Sequence, residues 1–142
     1  MKKIGIIFIV MLNIVSCSND DKKSSDTSDY HGKWTLIKMT GIKNANVIFD
    51  SLEWQETYVF NTDGTFVKTR IKDNKTTIAT GNFTMTNADN VKHFELNYKE
   101  SNAIIGSCFG NLTESLYINT DNLLVGLWQV CDGPGLIYKK LK

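Results

Sequence analysis

Three cysteines carry the most reactive side chains in this 142-residue sequence, and their surroundings differ. Cys17 closes a run that begins Met1-Lys2-Lys3 and continues through the apolar stretch Ile4–Val15 to Ser16. A thiol in that position suits acylation: it accepts a diacylglycerol, and the amine freed by cleavage before it can take a further acyl chain. One chain holds a protein marginally and two or more hold it stably, at roughly 0.8 kcal/mol per buried CH₂. Cys108 and Cys131 are an even pair once Cys17 is spent. In an oxidising compartment such a pair reads most simply as a disulfide, and closing a loop of that size is worth about 3 kcal/mol. Two buried thiols or a catalytic thiol are the alternatives. No C-x-x-C spacing points to zinc or redox chemistry.

The other chemistry-bearing residues form no recognisable catalytic pattern. His31 and His93 are the only histidines and neither has triad spacing. His93 alternates with Glu95 and Asn97, so both histidines are expected to be exposed. No H-E-x-x-H, phosphate loop, dinucleotide glycine motif or EF-hand loop occurs, so no metal, cofactor or catalytic residue is assigned. The formal net charge is +1, and Arg70 is the sole arginine among scattered lysines. That gives no basic footprint for nucleic acid.

The elements that must place these residues come in three parts. Residues 1–16 read as a cleaved export signal ending at Cys17. The apolar run is too short for a membrane span, which needs about 20 residues; an ordinary secretory signal with an incidental cysteine is the alternative. Residues 17–29 contain no large apolar side chain and read as a tether spanning about 20 Å. Residues 30–142 are one domain, long enough to bury a core without staples.

That domain is rich in β-branched and aromatic residues, divided by Asn/Asp/Gly clusters into short runs. Strands are expected at about Lys33–Thr40, Glu53–Asn61, Thr65–Lys72, Thr76–Thr86, Lys92–Glu100, Ser115–Asn119, Leu123–Val130 and Leu136–Lys140. A helical turn within Gly41–Leu52 and a further strand near Ile104-Ile105 complete the expectation. Short turns between successive strands predict an all-β, eight-stranded antiparallel up-and-down barrel, with a β-sandwich as the alternative.

One hairpin register follows from its turn. Phe60 and Phe66 flank Asn61–Thr65, which pairs Tyr58 with Lys68, Glu56 with Arg70 and Trp54 with Lys72 on one face. Val59 with Val67 and Thr57 with Thr69 take the other. The aromatic load favours the charged face pointing inward, with Glu56 and Arg70 near a barrel mouth; outward, they would be a solvated cross-strand pair.

Gly32-Lys33-Trp34-Thr35-Leu36, Tyr58–Phe66, Gly81-Asn82-Phe83 and Cys131-Asp132-Gly133-Pro134, in that order, resemble the lipocalin-like domains of Bacteroidota lipoproteins. Asp20-Asp21 likewise resembles the acidic export signal that follows the lipidated cysteine in such proteins. The resemblance implies an outer-membrane lipoprotein of the cell envelope, exposed at the surface, with a calycin-type barrel that binds a small apolar or amphipathic molecule. Candidate ligand contacts are Trp54, Glu56, Tyr58, Phe66, Arg70, Phe83 and Tyr98, while Trp34 reads as a plug at the barrel base. A hollow interior would favour the ligand reading. A filled one with an exposed apolar patch would favour a structural or interaction subunit of an envelope complex.

Overall fold

A computed structural model describes residues 29–41 and 52–142 of the chain. Cys17, the signal, the tether up to residue 28 and most of the expected helical turn in Gly41–Leu52 lie outside the described residues. The domain is one closed barrel in which each strand pairs with the next and the last with the first. The strands are β1 (Gly32–Thr40), β2 (Gln55–Phe60), β3 (Thr65–Lys72), β4 (Lys75–Ala88), β5 (Val91–Tyr98), β6 (Thr113–Ile118), β7 (Leu124–Gly126) and β8 (Gly135–Lys140). All pairings are antiparallel. The sandwich alternative is thereby excluded.

The turn chemistry operates as the residues dictate. Asp73-Asn74 and Asp89-Asn90 adopt positive φ at consecutive positions, the conformation that lets two-residue turns follow the strand twist. At Asn61–Thr65 the Asp63 carboxylate accepts from the Thr65 backbone N–H at 3.0 Å. The hairpin it closes has the expected register, with Phe60 opposite Phe66, Tyr58 opposite Lys68 and Glu56 opposite Arg70. Trp54 lies just before β2 and makes no ladder pair with Lys72; its ring meets the Lys72 ammonium at 5.2 Å instead.

Three expectations are corrected. The seventh strand stops at Gly126, and Trp128–Cys131 forms a 3-10 turn. The Trp128 ring lies where a side chain at Gly133 would stand, 2.3 Å from an added Cβ, so the chain turns back on itself rather than extending. No strand forms at Ile104-Ile105: Ile104 is buried in the core and its segment is a loop over one barrel end. His31 and His93 are half-buried rather than exposed. His31 binds Asp29 at 2.9 Å and His93 stacks on Tyr117.

The two ends differ. At the base, Trp34 is 3% exposed and its indole N–H donates to Tyr30 O at 2.9 Å. Tyr30, Phe60, Phe83 and Phe94 of the same cluster pack on one another with ring centroids 5.0–6.2 Å apart. At the mouth lie the β3–β4 turn, the connection from β5 to β6, and the 3-10 turn. The Cys108–Cys131 disulfide joins the last two across 23 residues of sequence. In β1 the register shifts between Leu36 and Lys38. Ile37 is thereby left on the outside while Met39 follows Trp34 and Leu36 into the core.

Gly81 is the tightest point. It pairs with Phe66 on one side and Tyr98 on the other, and those two rings meet edge to face at 4.8 Å. An added Cβ would stand 2.0 Å from the Asn97 carbonyl oxygen and 2.8 Å from Phe66 Cε1. Gly81→Ala is expected to lower stability by about 1–3 kcal/mol through overpacking. Urea denaturation measures this; an unchanged midpoint would contradict the packing described.

Candidate functional site

The inward face of β2 and β3 carries charge into the centre of the barrel. Alternation places Glu56, Tyr58, Phe60, Phe66 and Lys68 inside, all at most 1% exposed. Arg70 follows one step nearer the mouth, its side chain 12% exposed. From the other side of the barrel come Tyr98 on β5, Glu114 on β6 and Tyr138 on β8, 4%, 3% and 0% exposed.

These side chains satisfy one another. The Lys68 ammonium lies 3.0 Å from both carboxylate oxygens of Glu114 and 3.3 Å from Glu56 Oε1. Tyr58 donates to Glu114 Oε1 at 2.9 Å, and Tyr98 donates to Oε2. Tyr138 donates to Glu56 Oε1 at 2.6 Å, while Arg70 Nε donates to Oε2. Two carboxylates and two cations thus sum to zero charge, with each carboxylate oxygen hydrogen-bonded. The loop over the mouth closes tightly on this group, for a Cβ at Gly106 would come within 2.6 Å of Glu114 Oε1.

Electrostatics follow from burial. Desolvation alone would push the Glu56 carboxyl up. Lys68 and Arg70, with the hydrogen bonds from Arg70 and Tyr138, outweigh it and hold Glu56 below the ordinary carboxylate range. Burial, reinforced by the carboxylates, raises Tyr58, Tyr98 and Tyr138 well above the usual phenol value near 10. All three are donors throughout the physiological range and none is poised for proton transfer.

The candidate ligand contacts divide between centre and mouth. Tyr58, Phe66, Tyr98 and Glu56 belong to the filled centre. A void large enough for a water would leave accessible surface on its walls, and Tyr58, Lys68, Leu96, Leu116 and Tyr138 have 0%. Phe83 is half-buried in the base cluster, remote in the register from the mouth. Only Arg70 and Trp54 stand together at the mouth, the guanidinium 4.4 Å from the indole ring centre. Sequence reasoning found the Glu56–Arg70 pair and its inward facing, but assigned no role to Lys68, Glu114 or Tyr138. The expected strand began at Ser115; it begins at Thr113, and Glu114, two residues before the buried Leu116, then falls on the inward face by alternation.

Comparison with known protein families, with curated proteins and with solved structures gives no match to this chain. Among the described residues, no group of three or more His, Cys, Asp or Glu side chains could hold a metal ion.

Breaking the network from one side is expected to be severe. Lys68→Met leaves two buried carboxylates short of a counter-charge and should cost about 3–5 kcal/mol. Adding Glu114→Gln should recover part of that loss, because the two changes act on one contact; strict additivity in urea denaturation would refute the coupling.

The tyrosines set the alkaline limit. Their folded pKa values are raised, so above pH about 10 the unfolded chain loses protons that the folded chain keeps. Stability should then fall by up to about 1.4 kcal/mol per pH unit for each tyrosine. Equilibrium denaturation between pH 8 and 11 measures the slope, and a flat profile would show that the three phenols are not buried as described.

Proposed function

We propose that this chain is a lipid-anchored, extracytoplasmic barrel of lipocalin-like kind that acts as a rigid interaction module of the cell envelope. The observation that carries the reading is the filled, charge-neutral interior. Positions that would hold an apolar molecule in a hollow barrel are occupied by Lys68, Glu114 and the tyrosines that bind them. The order of residues from Met1 to Cys17 supports anchoring at an outer membrane through lipid on Cys17, and the disulfide agrees with an oxidising compartment.

The surface offered to a partner lies at the mouth. Phe109 and Val130 are 87% and 77% exposed and stand next to the two bridged cysteines, with Leu112 at 41% close by in sequence. Ser101–Thr113 and Leu127–Cys131 contain no charged residue. Exposed apolar side chains on uncharged, cross-linked loops have the composition of an interface core, where charge is depleted and aromatics are enriched.

The reading is tested in cells. Wild-type protein should incorporate labelled palmitate and fractionate with membranes, and Cys17→Ala should do neither. Phe109→Ser/Val130→Ser should remain lipidated and folded but migrate on native gels as the free barrel, where the wild type migrates in a larger assembly. Acylation of the Cys17 variant would sink the anchor. Free migration of the wild type, or recovery of purified barrel with an apolar molecule inside, would sink the interaction reading.

A further inference from the structure

The β3–β4 hairpin brings cations together at the mouth. Its register sets Lys72 directly opposite Lys75, and like charges facing each other across a ladder repel. One step nearer the barrel centre on the same face is Arg70, opposite Thr77. Lys75 has no carboxylate within ion-pairing distance among the described residues.

Their surroundings leave donors unspent. Arg70 gives Nε to Glu56 and reaches Ile104 O at 3.5 Å, which uses two of the five N–H donors of a guanidinium. Lys72 meets Glu53 only at 3.8 Å, with both side chains 49% exposed. Trp54 holds Arg70 and Lys72 against its ring at 4.4 and 5.2 Å, and its own indole N–H is buried with no acceptor. Arg70, Lys72 and Lys75 line a depression of about 370 Å³, which Asp73 and Thr77 also line and which Ala103 and Ile104 wall on the apolar side. That volume lies within the range of small-ligand sites.

We infer that this depression binds an amphipathic anion, its carboxylate or phosphate head held by Arg70, Lys72 and Lys75 and its apolar chain lying on Ala103 and Ile104. The head group relieves the Lys72–Lys75 repulsion and uses the free guanidinium donors, while Asp73 selects against a second negative charge on the ligand. The site shares the uncharged Ser101–Thr113 segment through Ala103 and Ile104 but is lined by neither Phe109 nor Val130, and binding there requires no opening of the barrel centre.

The test uses the full chain carrying Cys17→Ala, so that no attached lipid competes. Decanoate, decanol and acetate are titrated below the micellar range, following backbone amide shifts. Decanoate should shift Arg70–Thr77 and Ala103–Ile104, with decanol and acetate at least about ten-fold weaker. Lys72→Ala/Lys75→Ala should weaken decanoate about ten-fold, the loss expected for charge-assisted hydrogen bonds. Lys72→Arg/Lys75→Arg, which keeps the charge, should retain it. Flotation with phosphatidylglycerol vesicles that depends on the same lysines would assign the head group to a membrane lipid. Decanoate binding without flotation would assign a free amphiphile. Equal binding of decanol, binding unchanged in the alanine variant, or shifts confined to other parts of the barrel would overturn the proposal.

Discussion

The barrel is organised around one ammonium group. Lys68 is wholly buried between Glu114 and Glu56, and those carboxylates in turn hold Arg70, Tyr58, Tyr98 and Tyr138. The residues come from β2, β3, β5, β6 and β8, so one network ties strands that are not neighbours across the barrel. A buried ion pair stabilises little relative to apolar packing of the same volume, because desolvation offsets most of the Coulomb attraction. Its effect here is on register. A slip of one residue in β3 would turn Lys68 and Arg70 outward and leave two carboxylates in the core without counter-charge. A slip of β3 by an odd number of residues is therefore penalised more than an apolar core would penalise it.

The same constraint decides what the interior can do. A hollow barrel takes an apolar guest because binding removes the apolar surface of guest and walls from water. A guest at the centre of this one would have to separate Lys68 from Glu114, with each separated ion several kcal/mol more costly than before. A guest would thus be excluded from the centre and admitted only where charge is still hydrated. Closure of the sheet removes strand edges as docking points as well. What is left for recognition is the connecting segments, and the long ones cluster at the mouth.

Much of this was legible in the sequence because it depended on local spacing. The Asn/Asp/Gly turns, the eight-strand count and the β2–β3 register follow from residues within a few positions of each other, and Glu56–Arg70 came with that register. The partners of the charges were not legible. Tyr58 and Glu114 are separated by 56 residues and Tyr138 and Glu56 by 82, and no local pattern pairs them. Lys68 was seen opposite Tyr58 but had no visible reason to be buried until Glu114 was placed beside it. Strand seven was overextended for a different cause. Leu123–Val130 is apolar except for Gln129 and so reads as strand, yet the packing of Trp128 on Gly133 and the tie from Cys131 to Cys108 draw its second half into a 3-10 turn.

The base and mouth carry different work because their chemistry differs. The base is aromatic and is reached by the chain from Asp29, whose backbone and side chain are held by Lys140 beside the first strand. Any pull transmitted through residues before Asp29 therefore arrives at the strands that close the barrel, β1 and β8, where register runs from Trp34–Lys140 to Thr40–Gly135. The mouth lies at the far ends of the same strands and takes none of that load directly. Its loops are fixed to each other by a disulfide and to the core by Ile104 and Arg70, so their exposed groups are presented without the ordering cost that mobile loops would bear on binding. A base from which the chain enters, a core that resists slippage and preorganised groups at the mouth are the features that the proposed surface-held recognition role requires.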